Sequence, residues 1–200
     1  MLLIFLDTET TGLDPAKHRI LEIAFKVYDS RSKRVILRYE AIIHQPDAVM
    51  AEANPKSLAV NGFTQEMLLR GKSEKSVASE IIQDLNHIGI GQKEAVFICQ
   101  NPSFDRSFFL QLISTDLQTA FDWPYHWLDL ASMYFTAYLE KGELNDLKED
   151  DLKKNAIARH YLLPEEATPH RAMHGVEHLM LCYGAIFATH LLESDEQSVR

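Results

Sequence analysis

Asp7 and Glu9 stand two positions apart, directly after the apolar run Leu2-Leu3-Ile4-Phe5-Leu6. That run reads as a buried strand. Side chains alternate along a strand, so both carboxylates leave its end on one face, and Thr10, Thr11 and Gly12 then turn the chain away. An isolated acid-x-acid pair is usually a solvated entry into a loop. Here a continuous apolar strand aims both at one spot, which suits a hard divalent cation such as Mg²⁺ that takes carboxylate oxygens and keeps several waters. A third acid, Asp105, falls in the first turn of a helix opened by Asn101-Pro102, a cap followed by first-position proline. Helix N-termini at strand ends are where α/β sites gather and where a carboxylate is favoured, although alone it reads as dipole compensation. His170-Arg171-Ala172-Met173, behind Pro169, opens the last helical stretch. A lone histidine there is ordinarily a capping or surface residue, but after two acid motifs it reads as a general base, with an ordinary pKa of about 6.5.

These groups need a scaffold. Arg19 to Tyr28 alternates as a second strand, Asp29 to Lys33 is a polar turn, and Arg34 to Ile43 makes a third strand of an antiparallel meander. Asn54-Pro55 caps a short helix that stops at Asn61-Gly62, Thr64 opens another, and Lys75 to Asn86 carries apolar residues at helical spacing. Ala95 to Cys99 and Trp127 to Asp129 read as short buried strands. Helices follow to Leu112, over Leu130 to Leu139, over Ala156 to Leu162 and from His170 to Leu192. Lys141 to Lys154, the most charged segment, reads as a solvated loop and helix face. Residues 1–192 are expected to form a single domain and 193–200 a frayed tail. A meander followed by strands alternating with helices implies an α/β fold, a mixed five-stranded sheet with helices on both faces, similar to the ribonuclease H-like architecture.

The chain has 200 residues, 46% of them apolar, and a net charge of -9. An acidic balance argues against bulk electrostatic capture of nucleic acid, yet leaves room for an enzyme whose bound cations neutralise phosphates locally. Cys99 and Cys182 sit in apolar contexts without metal-type spacing and read as reduced thiols. With no leader pattern and no apolar run of membrane length, the expectation is a cytoplasmic protein with no membrane association.

Asp7 to Leu13 with Arg19 to Ala24 resembles the first motif of the DEDDh 3′–5′ exonucleases, the group of proofreading subunits, ribonuclease T and oligoribonuclease. Asn54-Pro55 with Val60 to Thr64 resembles the region after the family's third strand. Asn101 to Asp105 is similar to its second motif, and His170-Arg171-Ala172 to its third. The resemblance implies hydrolysis of a phosphodiester with two divalent cations, Mg²⁺ or Mn²⁺, and release of nucleoside 5′-monophosphates from the 3′ end of single-stranded DNA or RNA. Asp7 would bridge the ions, Glu9 would bind the one that activates water, Asp105 would hold the second, and His170 would take the proton. Thr10, Gly12, Leu13, Phe63 and Asn101 become the substrate-binding candidates, with Leu13 and Phe63 placed to pack on the terminal base or sugar. A homodimer or a polymerase partner is compatible with this reading, and the sequence does not separate DNA from RNA.

The pattern breaks at one place. The family's last aspartate, five residues after the histidine, is here Gly175. His178, one turn on, is the best-aimed substitute ligand, with long-armed Glu177 second. Weakened activity, altered metal preference, or an inactive relative that binds ends or partners all follow from such a loss. His174-Gly175-Val176-Glu177-His178 also fits the H-x-x-E-H arrangement of some zinc peptidases, a remote alternative that lacks an evident third ligand.

Overall fold

The computed structural model of the chain describes residues 1–188 and 191. Strands β1 (Leu2–Thr10), β2 (Ile20–Asp29) and β3 (Arg34–Ile42) form the antiparallel meander. β4 (Ala95–Cys99) and β5 (Trp127–Asp129) add on in parallel, giving the order β3-β2-β1-β4-β5. The mixed sheet expected from the sequence is therefore present.

Alternation along β1 decides what lies on each face. Ile4 and Leu6 enter a core with α4 (Glu74–His87) and α5 (Pro102–Leu112), where Val77, Ile81, Phe108 and Phe109 are fully buried. Phe5 points the other way, into a core with α7 (Leu130–Lys141), α8 (Lys154–His160) and α9 (Ala172–Ile186). Burying a Leu, Ile or Phe side chain is worth roughly 1.5–3 kcal/mol, so the two cores fix the register firmly. The short helices α1 (Asp47–Ala51), α2 (Pro55–Asn61), α3 (Gln65–Leu69) and α6 (Thr115–Ala120) surround this sandwich.

Several boundaries differ from the sequence expectation. β1 continues past Leu6 to Thr10, because its ladder with β2 runs on to the pair Thr10–Ile20. On its other side β1 pairs with β4 only over Leu2–Phe5, so the acid-bearing half of the strand faces a gap in the sheet. The last helix begins at Ala172 rather than His170 and closes at Ile186 rather than Leu192; the expected tail, 193–200, lies outside the described residues. α1 and α6 were not expected, although Ser114 accepts from the backbone N–H of Leu117 as an ordinary N-cap. Asn101 gives α5 no side-chain cap. Its backbone is left-handed (φ 57°), and its Oδ1 accepts from the Ser103 hydroxyl instead. Among the described residues no helix is long and apolar enough to cross a membrane.

Candidate active site

Asp7 and Glu9 continue the Phe5 face of β1 and so lie under α9, as the alternation requires. Thr8, on the opposite face, donates its hydroxyl to Asp105 Oδ1 at 2.8 Å. Asp105 reaches β1 from the first turn of α5 because β4 has already stopped. Acids from both faces of the sheet thus meet at the gap between β1 and β4. Burial raises all three, and nearby negative charge adds to it: Glu166 and Glu22 act on Asp7, and Asp7 on the other two. Asp7 is pushed up to about 6, chiefly by burial and against the pull of Lys154. Glu9 is pushed up to about 8 by burial and then by Asp7. Asp105 lies well above the carboxylate range for the same two reasons.

A cation would relieve this concentration of buried negative charge, and the all-oxygen donor set fits a hard divalent ion. The site is nevertheless not a closed cage: among the described residues no three His, Cys, Asp or Glu side chains are grouped tightly enough to hold an ion as they stand. Part of the charge is met by the protein itself. Lys154, the first residue of α8, has a side chain only 11% exposed, and its ammonium is 3.4 Å from Asp7 Oδ1 and 3.0 Å from Glu166 Oε2. It also donates to the Gly175 carbonyl at 3.4 Å. Burial works against its charge, but Asp7 and Glu166 outweigh burial and hold it protonated. The expectation of a solvated face for Lys141 to Lys154 fails at this residue. Gly175 is also more than a missing acid. A Cβ there would stand 2.3 Å from Asp7 Oδ2, so Asp7 occupies the space a side chain would need.

The substitute ligands do not reach Asp7. His178 Nε2 is 2.9 Å from the Pro164 carbonyl, which makes that nitrogen the N–H donor. Its Nδ1 faces Glu166 Oε2 at 3.9 Å and has no hydrogen-bond partner. Burial, followed by Lys154, lowers its basicity. Glu177 points outward to Lys26 (2.7 Å) and Arg38 (4.0 Å). His174 is exposed, so the three parts of the H-x-x-E-H arrangement diverge and no zinc site is assembled.

His170 is set by what precedes and follows it. Its backbone N–H donates to Val60 O at 3.0 Å, and its Nδ1 is 3.9 Å from Glu166 Oε1. The next residue, Arg171, forks onto fully buried Glu22: its Nε donates to Oε2 at 3.0 Å and its Nη2 to Oε1. Glu22 Oε2 also accepts from the Ala172 N–H at 2.8 Å, which caps α9 and explains why the helix starts there. The guanidinium lies 4.7 Å over the Phe63 ring. Phe63, expected to pack on the terminal base or sugar, is buried beside Leu21 and Leu68 and is absent from the lining of the cleft beside Glu9.

A cleft of about 320 Å³ opens beside Glu9, lined by Thr8, Thr10, Leu13, Asn61, Val60 and Phe104 among others. Leu13 is 73% exposed and stands at its mouth. Asn61 closes the floor, donating to Thr10 O at 3.1 Å and accepting from Phe63 N–H. Thr10 donates its hydroxyl to Gly12 O. Gly12 itself is pressed against the His18 ring, where a Cβ would come within 2.4 Å of Nε2, and it lies outside the cleft lining. Asn101 is absent from that lining as well; its backbone N–H donates to Asp129 Oδ1. Sequence reasoning missed Phe104, Asn61, Lys154, Glu166 and Glu22. Only Glu22 carried a local signal, a charge at the centre of an apolar strand.

Order of strands, two-faced helical packing and acids at the end of the central strand define a ribonuclease H-like nuclease fold. The nuclease domain of 3'hExo, described as a DEDDh family member bound to rAMP, superposes with a TM-score of 0.67 at 13% identity, covering 93% of this chain and 90% of that one. Escherichia coli exonuclease I, solved with a 5cy-dT13 oligonucleotide, gives 0.72 at 18% identity, covering 94% of this chain and 40% of that one. In sequence, the oligoribonuclease of Marinobacter nauticus is 31% identical over 114 residues, 54% of this chain and 62% of that protein. That of Nitrosomonas europaea is 27% identical over 173 residues, 84% of this chain and 93% of that protein. The sequence profile of the family described as Exonuclease matches residues 4–183. The chain belongs to this exonuclease family.

Proposed function

We propose that the chain removes nucleoside 5′-monophosphates from the 3′ end of single-stranded nucleic acid, with Asp7, Glu9 and Asp105 as ligands for Mg²⁺ or Mn²⁺. The convergence of these buried acids at the gap beside β4, next to a cleft of nucleotide size, carries the reading. A divalent cation bound there supplies neutralisation of the scissile phosphate and acidification of a water.

The chain's own groups supply the rest. The cleft takes the terminal nucleotide, with Phe104 and Leu13 as the apolar surfaces for its base and Asn61 holding the floor rigid. Such packing tolerates any base, which suits an enzyme that trims ends irrespective of sequence. Glu22 and Arg171 anchor the start of α9 and so place His170 at the rim. His170 takes the proton of the attacking water, its Nδ1 edge turned to Glu166. The curated relatives named oligoribonuclease support short RNA as the first substrate to try.

The test is incubation of 3′-labelled single-stranded DNA and RNA oligomers with Mg²⁺ or Mn²⁺, beside Asp7→Ala. Labelled 5′-monophosphate is expected from the wild type alone. Equal inertness of the two proteins in both metals would leave a silent, end-binding relative.

A further inference from the structure

The Lys154 ammonium sits in a cradle built for a cation. It touches Asp7 Oδ1 (3.4 Å), the Gly175 carbonyl (3.4 Å) and Glu166 Oε2 (3.0 Å). Glu166 is itself 4% exposed at its side chain and is aimed inward from the loop before His170. A further buried donor, His178 Nδ1, faces the same carboxylate at 3.9 Å with no hydrogen-bond partner. Its Nε2–H is committed to Pro164 O, so Nδ1 presents a lone pair. Two buried carboxylates and a carbonyl close on the ammonium, with the His178 lone pair on the far side of Glu166, so a lysine meets this concentration of negative charge. The cradle adjoins Gly175, where the absent carboxylate would have projected, and the Asp7 side chain occupies that space.

We propose that Lys154 is a resident cation in place of one of the two divalent ions, with Glu166 as the carboxylate that compensates for Gly175, so that the enzyme binds a single exchangeable ion. This rests on the metal-dependent exonuclease reading of the same site. Lysine suits the task as a compact point charge on a long stem that α8 delivers from outside the sheet. A fixed ammonium supplies charge without needing free metal, and it cannot acidify water as a divalent ion does. Glu166 lies between Lys154 and His170 and therefore positions both.

The experiment counts Mn²⁺ by titration calorimetry and electron paramagnetic resonance in the presence of a nucleoside 5′-monophosphate. The wild type is expected to bind one ion per chain. Lys154→Ala, which vacates the cradle, is expected to bind two, and Lys154→Ala combined with Glu166→Gln to return to one. Lys154→Arg, which keeps the charge, should stay at one. Two ions on the wild type would overturn the proposal and leave the exonuclease reading intact. One ion on a folded Lys154→Ala chain would also overturn it. No ion on the wild type would sink the metal reading of the whole site. The wild-type count needs no variant, so it decides even where Lys154→Ala fails to fold.

Discussion

Adding one methyl group at Gly175 tests how the carboxylate of Asp7, the proposed metal ligand, is held. In Gly175→Ala the new Cβ would lie 2.3 Å from Asp7 Oδ2, 2.5 Å from its Cγ and 3.0 Å from Oδ1. Those separations fall about 1 Å short of ordinary contact, and α9 is fixed by Glu22 at its start and by a fully buried face along its length. Asp7 must therefore be the group that moves. Alanine favours a helix over glycine by up to about 1 kcal/mol, whereas forcing a methyl into a packed site costs about 1–3 kcal/mol. Net stability should fall by no more than about 2 kcal/mol, a Tm change of a few degrees for a chain of this size. Activity should suffer far more, because displacing a catalytic group by about 1 Å costs on the order of 100-fold. Single-turnover release of the 3′ nucleotide, beside circular dichroism melting, measures both. Gly175→Asp meets the same obstacle and adds a like charge, so its rate should fall rather than recover. A Gly175→Ala enzyme as fast as the wild type would refute the reasoning and reduce Gly175 to a merely missing ligand.

The raised acids make metal binding and stability respond oppositely to pH. Asp7 and Glu9 favour the protonated form in the metal-free fold, so their stabilising effect is full at low pH and is lost as pH climbs through about 6 and then about 8. The Tm of the metal-free protein should drop over that window while Mn²⁺ affinity rises and protons are released on binding, measurable by calorimetry in buffers of different ionisation enthalpy; a flat affinity profile would count against it. Arg171→Ala leaves the fully buried Glu22 carboxyl without its guanidinium partner, which should cost about 3 kcal/mol or more and lower Tm by roughly 10 °C; a loss under 1 °C would show the pair to be dispensable. Phe104→Ala should reduce kcat/KM by roughly 5- to 150-fold through lost base packing, at nearly unchanged Mn²⁺ affinity; an unchanged kcat/KM would place the base elsewhere.

The sheet and the first three acids were legible because they depend on local pattern. Apolar alternation in Arg19 to Tyr28 and the run before Asp7 are dictated by burial, and a strand carries its acids to one face whatever surrounds it. What escaped was long-range. Lys154 looks like any other charge in a charged stretch, and only the return of α8 to the sheet, 147 residues after Asp7, turns it inward. Phe63 and Phe104 differ in role although both are aromatic neighbours of motif residues: one is roofed by Arg171, the other borders the cleft. Gly175 read as an absence, whereas its neighbourhood shows a space taken by Asp7. His178 fitted the helical spacing but was claimed by Pro164, a partner that spacing cannot reveal.

The short ladder between β1 and β4 has a consequence for how this fold can be redesigned or inherited. Pairing stops at Phe5 and Ile98. Extending that ladder by two residues would be neutral or favourable for the sheet, yet it would wall Asp105 off from Asp7 and abolish the place where substrate meets both. The proposed active site is thus an unfinished seam, kept open where the β1–β4 ladder ends. Selection for stability and selection for catalysis pull on the same two residues of backbone, and a stabilised descendant can lose its trade without a single change among its acids.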